Sequence, residues 1–128
     1  MPNVHCSDAN PVAHTVNDNV YDRQAALDRA GGDPGTAMRF LDMLLDLLAQ
    51  TEYSLSQALD HDDLIDLKEQ AHRLAGAAPY CGATALQEAA KRLETRAREG
   101  ERDLNTALTR DLIDQIARFR MVTSVKQC

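Results

Sequence analysis

Apolar residues recur at three- and four-residue steps through most of this chain, the spacing that lines one face of an α-helix. The clearest case is Leu41, Leu44, Leu45, Leu48, Leu55 and Leu59, which fall within an arc of roughly 100° at about 100° per residue. Asp33-Pro34 precedes them as a capping carboxylate followed by proline at the first helical position, so a long helix is predicted from there to about Leu59. A short helix comes before it, from Asp22 to about Ala30, stopped by Gly31-Gly32. After the polar junction His61-Asp62-Asp63, the positions Leu64, Leu67, Ala71, Leu74, Ala75 and Ala78 make the stripe of a third helix. Pro79 and Gly82 bracket a turn. Thr84, with Gln87 three residues on, reads as a capping box opening a fourth helix that buries Leu86, Ala90, Leu93 and Ala97 and stops at Gly100. A last helix starts near Asp103 and buries Leu104, Leu108, Leu112, Ile116 and Phe119.

Short connections between long amphipathic helices make sequential helices antiparallel neighbours. The expected fold is all-α, an antiparallel up-down four-helix bundle with an additional short N-terminal helix. Residues 1–20 lack an apolar period and read as a tail or linker. The bundle is expected over 21–122, with 123–128 as a frayed end.

Composition narrows this further. Apolar residues make up 44% of 128, with no Trp, three Tyr and two Phe. The core must then be aliphatic, built of Leu and Ala, which suits packed helices. A formal net charge of −6 argues against a nucleic-acid partner, since phosphate contact needs a basic face. No stretch reaches the roughly 18 apolar residues that span a bilayer, and the first residues have neither the basic start nor the apolar run of a signal peptide. Cys6, Cys81 and Cys128 are odd in number and widely spaced, which favours free thiols in a reducing cytoplasm.

The segment with chemical interest is Ala71-His72-Arg73-Leu74-Ala75-Gly76-Ala77-Ala78. His72 falls roughly 120° from the core direction of its helix, on a flank open to solvent. Gly76 lies one turn further along that flank, although glycine inside a helix costs about 1 kcal/mol relative to alanine. With the small residues Ala75, Ala77 and Ala78, it leaves the imidazole above a low surface. From periodicity alone, His72 could also be one more solvated residue. His5, His14 and His61 have no ligand spacing with His72, so no metal site is expected. A hydrolase would need a nucleophile and an orienting acid beside the histidine, and Cys81 lies about 13 Å further along the axis.

The run A-H-R-L-A-G-A-A-P-Y-C-G-A resembles the motif of histidine-containing phosphotransfer (HPt) domains, His-x-Leu-x-Gly with small residues and a turn after it. The chain over about 20–120 is most similar to the C-terminal HPt domains of tripartite hybrid sensor histidine kinases. The resemblance implies a phosphorelay intermediate that accepts a phosphoryl group from a receiver-domain aspartate on His72 and passes it to another receiver. The chain would then be a phosphocarrier and no enzyme, with the receiver catalysing transfer. No cofactor is implied in this chain, and Mg²⁺ is expected on the receiver. The implied partners are receiver domains, with no nucleic acid and no direct membrane contact, and the chain is expected to be a monomer. It would be cytoplasmic, tethered to the inner membrane if it belongs to a kinase. The other reading is a non-catalytic helical adaptor or degenerate HPt domain.

One departure stands out. Many HPt domains carry a lysine three residues after the histidine, where this chain has Ala75. Lys68, Arg73 and Lys91 are the candidates for the positive charge near the phosphoryl group, each of which could equally be an ordinary solubilising charge. Gly76 is the implied point of close approach. Phe40, Met43 and Leu47, displaced from the main leucine stripe, either cover the short first helix or join Ala75 in a docking surface.

Overall fold

The computed structural model describes residues 20–125. Its helices are α1 (Arg23–Arg29), α2 (Pro34–Asp60), α3 (Leu64–Ala77), α4 (Thr84–Arg96) and α5 (Arg102–Val125), with a 3-10 turn at Ala78–Cys81. Three starts are made by an aspartate whose carboxylate accepts the N–H three residues on. Asp22 caps α1 through Ala25, Asp33 caps α2 through Thr36, and Asp63 caps α3 through Asp66, each at 3.0 Å. The side-chain and backbone bonds from Thr36 hold the Asp33 carboxyl below its ordinary range.

α2 packs on α3, α3 on α4, α4 on α5 and α5 back on α2, closing the expected four-helix bundle. The interior is almost wholly Leu and Ala, with Ile116 and Phe119 the exceptions in size. Tyr21 meets Phe119 edge-on at 5.5 Å, pinning the chain ahead of α1 to the bundle. The extra helix α1 lies mainly against the 3-10 turn. Gly82 makes that packing possible. Its carbonyl accepts the Asp22 N–H at 2.8 Å, and a Cβ at Gly82 would stand 2.1 Å from the Asp22 carbonyl oxygen.

Several boundaries differ from the pattern-based expectation. Val20 is 5% exposed and belongs to the core, so the bundle's packing begins ahead of residue 21. At the other end α5 continues through Val125, past the expected boundary at 123; Thr123 is buried and its hydroxyl donates to the Phe119 carbonyl at 2.9 Å. Thr84 is the first residue of α4 rather than its cap. The cap is Ala83, fully buried, which leaves no side chain to complete a capping box. α4 stops at Arg96, ahead of Gly100, because the buried Ala97 turns extended and the Asn105 amide takes up both backbone groups of Arg98. Leu104, one turn before the buried Leu108, lies at the exposed start of α5. His5, His14, Cys6 and Cys128 fall outside the described residues.

Candidate functional site

Burial of Leu67, Ala71, Leu74 and Ala75 fixes how α3 is rotated, and that rotation carries His72 out of the bundle. The His72 side chain is 78% exposed. Its Nδ1 lies 2.6 Å from Oε2 of Glu94, on the neighbouring helix α4. An ionised carboxylate only accepts hydrogen bonds, so the pair requires a proton on Nδ1. The lone pair of a neutral ring then sits on Nε2, which has no partner among the described residues and faces solvent. One nitrogen is anchored and the other is free to react.

Glu94 escapes the sequence pattern, which places Lys91 level with His72. A hairpin centred near residue 81 would bring the residues near Lys91 level with His72, whereas the 72–94 pair centres it at 83. The difference is the 3-10 turn, whose extra residues lengthen the connection before α4 begins. An acidic residue on the α3-facing flank of α4 is visible in the sequence; its level is not.

The other candidates divide. Lys68 is half-buried, Arg73 and Lys91 are exposed, and none of the three side chains forms an ion pair among the described residues. Gly76 is exposed, and a Cβ built on it meets nothing within 4 Å. Packing among the described residues therefore gives no reason for glycine there, and they leave the space above it open. Ala75 is 7% exposed and part of the core, so its burial removes it from any docking surface. Phe40, Met43 and Leu47 lie on the side of α2 that meets the 3-10 turn. With Ala77, Tyr80 and Cys81 they line an open apolar groove of about 410 Å³ between α2 and the 3-10 turn. Phe40 meets the Tyr80 ring edge-on at 5.8 Å, and the Arg29 guanidinium lies 5.2 Å above the Tyr80 ring. Ala77 follows His72 by five residues, about 140° around α3, so groove and imidazole occupy opposite flanks.

Cys81 is buried, and burial pushes its thiol up to about 11, away from thiolate chemistry. No group of His, Cys, Asp and Glu side chains that could hold a metal ion is found among the described residues. No helix among them is long and apolar enough to cross a membrane.

Both His61 and His72 are exposed among the described residues, but His61 Nδ1 is bonded to the Gln57 carbonyl of its own helix, whereas His72 is held by a carboxylate from the neighbouring helix. The family model described as "Hpt domain" matches residues 39–121. The HPT domain of a sensor hybrid histidine kinase from Shewanella superposes with a TM-score of 0.74 at 25% identity, covering 86% of this chain and 93% of that one. No curated protein matches the chain. The chain belongs to the Hpt domain family, and its role is phosphotransfer within two-component signalling, as a phosphocarrier module of the kind found in hybrid kinases.

Proposed function

We propose that His72 is the phosphorylated residue, loaded from the aspartyl phosphate of one receiver domain and unloaded onto the aspartate of another. The observation that carries this is the free, solvent-facing Nε2 of a ring held through Nδ1. A neutral ring that keeps its proton on Nδ1 carries a nucleophilic lone pair on Nε2. Nε2 attacks phosphorus in line, the aspartate carboxylate departs, and a phosphoramidate results. Mg²⁺ and the groups that stabilise the transferring phosphoryl belong to the receiver in this reading, which makes the receiver the catalyst. Lys68, Arg73 and Lys91 supply positive charge around the site, and Gly76 leaves the receiver room to approach.

The apolar groove of Phe40, Met43 and Leu47 is the docking surface in this reading, and its modest size suits a transient contact. The domain acts as a monomer in the cytoplasm, free or as the tail of a hybrid kinase. Incubation with a panel of phosphorylated receivers tests the assignment. The expected result is label on the wild type that is acid-labile and base-stable once the protein is denatured, and none on His72→Gln. Full labelling of His72→Gln sinks it, and a wild type that binds receivers without taking label is a non-catalytic adaptor.

A further inference from the structure

We infer that Glu94 makes transfer through His72 proton-neutral: the Nδ1 proton stays in place, held by the carboxylate, while the phosphoryl group enters and leaves at Nε2. This rests on the phosphotransfer reading above and adds a positioning residue to it. On loading, the Nε2 lone pair forms the N–P bond as the P–O bond of the acyl phosphate breaks, its electron pair leaving with the aspartate. The ring now bears a proton on Nδ1 and phosphorus on Nε2, and so carries a positive charge. The carboxylate of Glu94, 2.6 Å from Nδ1, offsets that charge. On unloading, a carboxylate oxygen attacks phosphorus and the N–P electron pair returns to Nε2. The ring departs as neutral imidazole with its Nδ1 proton still donated to Glu94. No proton is taken up or released in either direction.

The carboxylate matters because of the alternative. A phosphorylated ring that loses its Nδ1 proton to water could leave only as imidazolate, a far poorer leaving group. Its phosphate would stay trapped until a proton returned. Glu94 suits the task by position, since its side chain is 31% exposed against 78% for His72, and it reaches the imidazole from the bundle side. The remaining charged residues near this seam are Lys68, Glu69 and Arg73 on α3 and Lys91 and Arg98 on or just beyond α4. None is bonded to the imidazole among the described residues. α2 and the 3-10 turn meet α3 on its other side, at Ala77.

The test uses the full chain and potassium phosphoramidate, a small-molecule donor that needs no receiver. Wild type and Glu94→Gln are loaded, and decay of the phosphohistidine signal that is missing from His72→Gln is followed by ³¹P NMR from about pH 6 to about pH 10. Glutamine keeps a hydrogen-bonding group of the same length but removes the charge. The wild-type decay rate should hold level into the alkaline range, whereas that of Glu94→Gln should fall as pH rises. At about pH 8 the variant should be about threefold slower, an effect the size of one exposed ion pair. Superimposable pH profiles overturn the inference. Should no phosphorylated receiver transfer to the wild type, the receiver reading fails while the decay profiles still decide the role of Glu94.

Discussion

The two flanks of α3 are built by opposite rules. Toward α4 the surface is polar and specific: Lys68, His72 and Gly76 on α3, with Glu94 placed to 2.6 Å behind the imidazole. Toward α2 it is apolar and permissive, a groove in which Met43 is 67% exposed and the aromatic rings of Phe40 and Tyr80 touch only by their edges. One hydrogen bond defines the first flank, and a one-residue slip would abolish it. Shape and apolar area define the second, and many side chains would serve. Chemistry and docking are thus separable by mutation, although they share a single helix.

The sharpest break comes at the reactive nitrogen. His72→Gln should eliminate receiver-dependent labelling while leaving the thermal unfolding curve within error of wild type, since an exposed side chain contributes little to packing. The next largest effect belongs to the groove. Met43→Glu places a charge in the apolar surface without touching the core. It should raise the receiver concentration for half-maximal transfer by about tenfold, the size of one interface anchor, and leave the rate at saturation unchanged. A fall in the saturated rate instead would mean that the groove takes part in the chemistry and the two flanks are not independent.

How far the sequence alone exposes these flanks follows from the range of the forces that shape them. Helix identity, the Asp22 and Asp33 caps and the outward direction of His72 rest on interactions within four residues and are legible from spacing, whereas Asp63 shows in the sequence only as part of a polar junction. Glu94 is 22 residues from its partner, so its level depends on the length of the α3–α4 connection. The 3-10 turn sets that length, through a left-handed Gly82 pressed against Asp22. Pro79 and Gly82 mark a turn in the sequence, but nothing in the apolar stripe fixes how many residues that turn consumes. The same limit explains Thr84: its side chain fits a capping box by type, yet the buried Ala83 occupies the capping position. Ala75 shows the reverse. Its place in the stripe marks it as core; only its nearness to the motif suggests docking, and its burial decides for the core.

Gly76 separates access from packing on the polar flank. Gly76→Leu should stabilise the isolated domain by up to about 1 kcal/mol, because a good helix former replaces glycine in open space. The same change should slow transfer several-fold, since the new side chain stands one turn from His72 on the approach side. Urea unfolding and transfer rates measured on the same protein check both halves. Parallel loss of stability and transfer would show that glycine serves the fold after all.

The smallest effect on transfer is expected at Cys81, on the wall of the groove. Burial raises its thiol to about 11 from the usual 9.0, so the folded protein holds this proton more tightly than the unfolded chain does. For an acid shifted in that direction, the contribution to stability is intact below the unfolded value and is lost as pH rises from about 9 toward about 11. Urea unfolding should therefore show a level stability to about pH 8.5 and a decline above it that Cys81→Ser reduces, the remainder coming from Tyr21, whose hydroxyl is likewise raised by burial. Iodoacetamide should alkylate Cys81 only slowly at neutral pH, and transfer should be indifferent to the cysteine. Rapid alkylation of the folded domain would mean that the groove opens to its floor, and the apolar flank would then be a deformable pocket rather than a fixed surface.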